Sequence, residues 1–327
     1  MNAKVDSGTP PKVTRKVKQK PKQEAIVNRL TCATLEGVNA QVIEVEATFT
    51  KGLPGFAVVG LASSDIQEAK ERVKSALLTN EFVFPPLKIT VGLFPSEGKK
   101  SGSHFDLALA LLVALNKKSF EEEGLFVFGE LGLDGRVKSS SMIFPIILSL
   151  KEKGLIKRAI VPKEAISYLS HISGIDFIAV ETLREAIVLV SKGEFKANVK
   201  QFEYDAKQFT LEETRYYYEE KYESNFFDVK GQMVAKRAAL IAAAGMHNLF
   251  MEGNPGCGKS MIAKRIKDIL PPMQEDELLS IAKHQFLDGQ TPNFKAIRPM
   301  RSPHHTATSA SIFGGGCHFP LTLRNFH

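Results

Sequence analysis

Cysteine and long apolar segments are both scarce in this chain of 327 residues, and each shortage excludes a class of protein. The cysteines are Cys32, Cys257 and Cys317, which are widely separated and include no metal-type pair. No segment approaches the ~18 uninterrupted apolar residues of a membrane-spanning helix, and the N-terminus lacks the apolar core of a secretory signal. We therefore expect a protein of the reducing cytoplasm, with no membrane partner.

Positive charge is concentrated in the first 24 residues. The net charge of the chain is +7, and most of it comes from Lys4, Lys12, Arg15, Lys16, Lys18, Lys20 and Lys22, opposed only by Asp6 and Glu24. The segment is polar and has no periodic apolar face, so residues 1–25 are predicted to be a disordered basic tail. A solvated extension is the favoured interpretation, and an arm that touches nucleic acid is the alternative.

Residues 26–193 alternate strand and helix patterns, which predicts an α/β domain. Strands are expected at 42–49, 56–59, 87–93, 158–161 and 177–180, and helices at 142–153, near 165 and at 183–190. The string Ser64 to Gln67 matches a capping box that opens a helix with an apolar face. A further helix begins at Ser103, and residues 107–115 are apolar all round, which predicts a buried element.

Residues 194–225 change character, because Lys, Glu, Gln and the triplet Tyr216-Tyr217-Tyr218 dominate and aliphatic residues are few. We interpret this segment as a linker. The tyrosines are expected to cover a neighbouring hydrophobic surface, and base stacking is the alternative.

Residues 253–260 form a complete phosphate-binding loop, G-x-x-x-x-G-K-S. Its residues are Gly253, Asn254, Pro255, Gly256, Cys257, Gly258, Lys259 and Ser260. Glycines let such a backbone turn tightly and aim its N–H groups at phosphate oxygens. Lys259 is expected to reach the β- and γ-phosphates of ATP, and the Ser260 hydroxyl to ligate Mg²⁺.

The surroundings of the loop fit this interpretation. Residues 247–252 are predicted to be a short strand before the loop, and residues 261–270 a helix that ends at Pro271-Pro272. A helix from Met233 to Ala244 precedes that strand, and its alanines allow close packing. The amino end of the helix after the loop favours anions.

Several strings resemble the ComM/YifB family of magnesium-chelatase-like AAA+ ATPases. In the C-terminal part they are residues 227–232 (FDVKGQ), 243–249 (AAGMHNL), the phosphate-binding loop and 298–306 (RPMRSPHHT). In the N-terminal part, residues 52–56, 59–61, 71–73 and 100–107 match the Lon-protease-like domain of that family. The resemblance covers about residues 26–316.

The resemblance implies an α/β fold class in which a Lon-protease-like domain (26–193) and the linker (194–225) precede an incomplete P-loop AAA+ module (226–327). It also implies ATP and Mg²⁺ as cofactors and a ring, hexameric in the full-length family, that acts on DNA; the family includes a branch-migration helicase of natural transformation. Proteolysis is not expected, because the serine and lysine positions of the Lon motif fall on His104 and Phe144. His104 is expected to be a helix-start or core histidine.

One departure from the family pattern concerns hydrolysis. An apolar strand that ends in Asp-Glu is expected shortly after Gly316, but residues 317–327 do not contain it. Residues 286–289 (FLDG) are the nearest string, and they do not read as such a strand. We therefore expect a prematurely ended product, frame-shifted after Gly316, with little or no ATPase turnover and a poorly ordered C-terminal part.

Two other functions stay open at this stage. The chain can be a competent motor subunit that partner chains complete, or a non-catalytic protein that docks on full-length paralogues. His304-His305 is a poor metal chelate, because adjacent side chains point in different directions. The resemblance places it in an insertion hairpin, where Arg298 and Arg301 are expected to face the ring pore or DNA.

Overall fold

The computed structural model describes residues 28–116, 124–200, 202, 204–220, 224–304 and 306–308. The basic tail predicted at 1–25 lies outside the described residues, and so do His305 and residues 309–327. The predictions made for them stay predictions.

Twelve strands and eight α-helices are present in the described residues. The strands are β1 (Asn28–Glu36), β2 (Asn39–Thr50), β3 (Gly55–Val59), β4 (Lys88–Phe94), β5 (Leu125–Val127), β6 (Glu130–Leu131), β7 (Val137–Lys138), β8 (Arg158–Pro162), β9 (Asp176–Val180), β10 (Lys207–Leu211), β11 (Thr214–Tyr218) and β12 (Met273–Gln274). The helices are α1 (Ser64–Thr79), α2 (Asp106–Ala114), α3 (Ile143–Glu152), α4 (Ile166–Leu169), α5 (Leu183–Lys192), α6 (Met233–Ala244), α7 (Lys259–Ile266) and α8 (Glu275–Leu287).

Seven strands form one mixed sheet in the order β3-β4-β2-β1-β5-β8-β9. The β1–β2 and β2–β4 pairs are antiparallel, and the other four pairs are parallel. Along β4 the alternating side chains Ile89, Val91 and Leu93 are buried, as the period-two pattern predicted. The α/β fold class is thereby confirmed.

Helices complete the core of this sheet domain. The first eight residues of α2 are buried, which confirms the prediction of an element that is apolar all round. Helix α1 buries Ile66, Ala69, Val73, Ala76 and Leu77, the apolar face expected from its sequence. The prediction of a capping box at the start of α1 is wrong. Ser63 is the N-cap residue and makes no side-chain cap bond, while the Gln67 amide donates to the Val58 carbonyl at 3.3 Å instead.

The segment interpreted as a linker contains a β-hairpin that the sequence pattern did not indicate. Strands β10 and β11 pair in antiparallel register, and β12 extends them to a three-stranded sheet. Tyr217 is buried against Met273, Leu278 and Ala296. The expected covering role is therefore confirmed for Tyr217.

Helix α8 joins the C-terminal part to the sheet domain. Its Phe286 ring lies 4.9 Å from the ring of Phe144 on α3, between ring centroids. At the same contact, Lys283 forms an ion pair with Glu152 at 3.0 Å. Leu279 and Ala282 belong to the buried core of the sheet domain as well. The domain boundaries stay predictions, but α8 contributes to the core on the N-terminal side of the predicted boundary.

Residues 286–289 form the end of α8 and the turn after it, as expected of a string that is not a strand. None of the helices in the described parts of the chain has the length and apolarity needed to cross a bilayer.

Candidate nucleotide-binding site

The phosphate-binding loop leads directly into α7, which begins at Lys259. Gly256 and Gly258 have φ values of +80° and +91°, a region that side chains with a Cβ rarely adopt. Gly258 is the N-cap residue of α7, so the first free N–H groups of the helix lie at the loop. The predicted helix is confirmed as α7, followed by a 3₁₀ turn at Lys267–Ile269, while the role of Gly253 to Ser260 in binding stays a prediction.

The Lys259 side chain folds back across the loop. Its ammonium donates to the Gly253 carbonyl at 2.7 Å and to the Asn254 carbonyl at 3.0 Å, and it lies 3.6 Å from the Cys257 sulfur. Ser260 is exposed in the first turn of α7. One positive charge, a hydroxyl and the amino end of a helix therefore meet at the same place. Such a group of donors is suited to a phosphate chain and its counter-cation.

Residues outside the motif hold the loop and its helix in place. Gln232, at the start of α6 with φ +55°, donates from its side-chain amide to the Cys257 carbonyl at 3.2 Å. Arg265 of α7 donates to the Asn225 carbonyl at 3.1 Å and pairs with Asp228 at 3.4 Å. Asn225 and Asp228 form a capping box with each other. Gln232 and Asp228 belong to the string FDVKGQ that resembles the family, whereas no sequence signal pointed to Arg265.

The prediction of a strand at residues 247–252 is wrong. These residues are irregular, although Leu249 and Met251 pack on the small cluster formed by Val229, Ala239 and Ile262. Phe250 between them is 88% exposed. A strand needs a neighbouring strand for its backbone hydrogen bonds, and in the described residues none lies beside this segment. One side of the segment is therefore packed, but its backbone has no partner strand in the described residues.

Two family models match the chain. The model "Subunit ChlI of Mg-chelatase" matches residues 45–165, and "Magnesium chelatase, subunit ChlI" matches residues 225–321, which includes the loop. The chain is 32% identical to competence protein ComM of Haemophilus influenzae over 285 residues, which are 86% of this chain and 54% of ComM. It is 34% identical to YifB of Escherichia coli K12 over 287 residues, which are 86% of this chain and 53% of YifB.

This chain belongs to the ComM/YifB family of magnesium-chelatase-like proteins. An uncharacterized protein of Mycobacterium tuberculosis H37Rv is similar too, at 33% identity over 297 residues, or 89% of this chain and 56% of that protein. The chain spans about half the length of these curated relatives. The second family match continues to residue 321, beyond Gly316, so the point at which the chain departs from the family stays a prediction.

His104 and Phe144, on which the resemblance places the serine and lysine positions of the Lon motif, lie in the core of the sheet domain. His104 is 1% exposed, and its Nε2 lies 2.9 Å from the Ala33 carbonyl. Burial lowers the pKa of His104 to about 4, and the hydrogen bond to Ala33 only partly opposes this change. Phe144 is buried against Phe286, and Ser103 donates to the Glu130 carboxylate. His104 is therefore a core histidine, as expected.

The string that contains Arg298 and His304 is followed by residues outside the described part of the chain, so its assignment to an insertion hairpin at the ring pore stays a prediction. Residues 290–304 are irregular. Arg298 does not face open space, because its guanidinium binds both Glu277 carboxylate oxygens, at 2.8 and 3.0 Å, and the Pro271 carbonyl. Arg301 lies 3.4 Å from Asp288. His304 contacts the Thr306 hydroxyl at 2.8 Å, and the described residues contain no group of three metal-ligating side chains.

Proposed function

We propose that this chain binds a nucleoside triphosphate with Mg²⁺, ATP being the expected nucleotide, through Gly253 to Ser260. The position of the Lys259 ammonium supports this proposal, because it lies inside the loop on two backbone carbonyls. A bound triphosphate offers this ammonium stronger, charged acceptors than carbonyls. The loop N–H groups then donate to phosphate oxygens, and the Ser260 hydroxyl ligates the metal ion.

Titration calorimetry with ATP and Mg²⁺ tests this site. Lys259→Ala removes charge-assisted hydrogen bonds of about 1.5–3 kcal/mol, so the Kd should rise by about tenfold to a hundredfold. Lys264→Ala is the matched control, since Lys264 is an exposed lysine on the same helix but outside the loop. Equal affinities for the wild type and Lys259→Ala would contradict the proposal.

We further propose that the site serves an ATP-driven ring of the kind that acts on DNA, in the cytoplasm. The similarity to competence protein ComM supports this proposal. Hydrolysis requires carboxylates that hold the magnesium shell and activate water. Between residues 224 and 308, the described part of the chain has β12 as its only strand, and β12 pairs with β11 rather than standing beside the loop. We therefore expect the chain by itself to bind nucleotide with little turnover.

Phosphate release by the same samples separates this proposal from its two alternatives. If the chain alone releases phosphate no faster than its Lys259→Ala variant, the result supports a chain that binds nucleotide without hydrolysing it. Turnover that appears on mixing with a full-length relative and disappears with Lys259→Ala fits a motor subunit completed by partner chains. If the chain and its Lys259→Ala variant co-purify equally well with the relative, and mixing adds no turnover, the result supports a non-catalytic docking protein.

A further inference from the structure

The hairpin of β10 and β11 has one face in the core and one face in solvent. Tyr217 points into the core, so its neighbours Tyr216 and Tyr218 lie on the opposite face. The strand register places Phe209 opposite Tyr216, on that same outer face. We call Phe209, Tyr216 and Tyr218 the aromatic face. The Phe209 and Tyr216 rings are stacked with centroids 5.4 Å apart, and the Tyr218 ring lies 6.1 Å from Phe209.

The aromatic face is partly exposed in the described part of the chain. All five residues of β10 are exposed, Phe209 is 43% exposed, and Tyr216 and Tyr218 are half-buried. Cross-strand aromatic pairs stabilise a hairpin, but stacked rings on the solvent side also present flat π surfaces to a partner.

Acidic residues lie at both ends of the aromatic face, and we call them its rim. Glu212 and Glu213 form the exposed turn between the two strands. At the other end, Asp205, Glu219 and Glu220 line a cavity of about 370 Å³ together with Tyr204 and Lys207, and Lys207 is already paired with Glu220. This rim repels phosphate backbones. It attracts cations, which also bind favourably over the faces of tyrosine and phenylalanine rings.

We propose that the aromatic face binds the basic N-terminal segment of this same chain, residues 1–24. This segment has seven lysine and arginine residues against two acidic ones, so its charge complements the rim. It also contains Pro10, Pro11 and Pro21, and proline-containing extended segments dock on aromatic surfaces. The 27 residues before Asn28 can span about 90 Å when extended, whereas a globular chain of this length has a radius of gyration of about 20 Å. Length therefore does not prevent the contact.

Limited trypsin digestion of the full chain tests this proposal, because trypsin cleaves at the lysines and arginines of the segment. The rate of cleavage within residues 1–24 should be about tenfold lower in the wild type than in Phe209→Ser/Tyr218→Ser, the effect of two cation–π contacts. Leu133→Ser, which removes an exposed apolar side chain from the sheet domain, is the matched control and should keep the wild-type rate. Protection that rises with protein concentration supports the same pairing between two copies.

A second variant covers the case in which the double substitution unfolds the hairpin. Glu212→Lys/Glu213→Lys changes only exposed turn residues and should also raise the cleavage rate, as should 0.5 M salt in the wild type. Equal rates in the wild type and both variants overturn the proposal. A labelled single-stranded oligonucleotide tests the other occupant. If the wild type binds it, and if Phe209→Ser/Tyr218→Ser abolishes this binding without changing the cleavage rate, the proposal is overturned and the face is assigned to nucleic acid.

Discussion

The sheet domain and the phosphate-loop unit (residues 224–270) are built in different ways. In the sheet domain, helix α2 is buried on all sides and the strands pair over most of their length. In the phosphate-loop unit only Val229, Ala239 and Ile262 form a buried cluster, while Val234 and Phe250 are mostly exposed. Burial therefore determines the conformation of the first region. Glycines and hydrogen bonds, some of them between residues distant in the chain, determine that of the second.

This difference has a consequence for local stability. A region with few buried apolar contacts opens at a lower free energy than the core of the same molecule. The shape of the loop therefore depends on few buried contacts. Two substitutions within the sheet domain and one in α8, which packs on that domain, test how far burial determines its stability.

Arg72→Met should have the largest effect, and it acts on the sheet domain. The Arg72 guanidinium binds both carboxylate oxygens of Asp106, at 2.7 and 3.1 Å, and the Asp106 side chain is buried. Burial raises the pKa of Asp106, and Arg72 opposes this rise. Removal of one partner from such a pair costs about 3–5 kcal/mol of unfolding free energy, measurable by urea titration.

Glu68→Gln is the control for Arg72→Met, because Glu68 and Arg72 form an exposed pair at 3.9 Å worth less than about 1 kcal/mol. Arg72→Met/Asp106→Asn should recover part of the loss, since it removes the unpaired charge. A loss from Arg72→Met no larger than that from Glu68→Gln would show that the pair does not stabilise the domain.

The pH dependence of stability should distinguish the two regions through His104. An unfolded imidazole takes up a proton near pH 6.5, but burial holds the pKa of His104 at about 4 in the folded chain. The unfolded state therefore binds more protons between these values, and stability is lost as the pH falls from about 7 to 4. The loss from this group is at most about 3 kcal/mol.

Urea titrations of the wild type and His104→Gln at several pH values measure this contribution. Glutamine keeps a donor for the Ala33 carbonyl but does not titrate, so the stability of the His104→Gln variant should depend less on pH in this range. Asn248→Gln, a non-titrating change at an exposed position of the phosphate-loop unit, is the control and should follow the wild-type slope. Parallel slopes for the wild type and His104→Gln would rule out this role of His104.

Phe286→Leu should have the smallest effect, and it tests the contact between the C-terminal part and the sheet domain. The substitution keeps an apolar side chain but loses the ring contacts with Phe144 and Tyr168, both at 4.9 Å, at a cost of about 1 kcal/mol. Hydrogen exchange should show the loss mainly in α8 and α3. Met300→Leu, at a partly exposed position, is the control. Exchange that is unchanged in α3 would show that α8 packs independently.

Elements with a strong local pattern were predicted well. Helix α6 has the bounds expected from its sequence, and β4 and α2 follow their apolar periodicity. The hairpin of β10 and β11 was missed, because its outer face is aromatic and its turn, Glu212-Glu213, has positive φ without a glycine or asparagine. The strand expected before the loop is absent, because a local string of residues does not report whether a neighbouring strand exists.

The sequence by itself determined the phosphate-binding loop and the helix after it, since glycine conformations, a lysine and a helix start are local properties of eight residues. The tertiary structure alone decided the partners of distant side chains. It placed Arg298 on Glu277, α8 on the sheet domain, and Gln232 and Arg265 around the loop. These contacts join residues far apart in the chain, and which of many polar and apolar groups meet depends on the packing of the whole molecule.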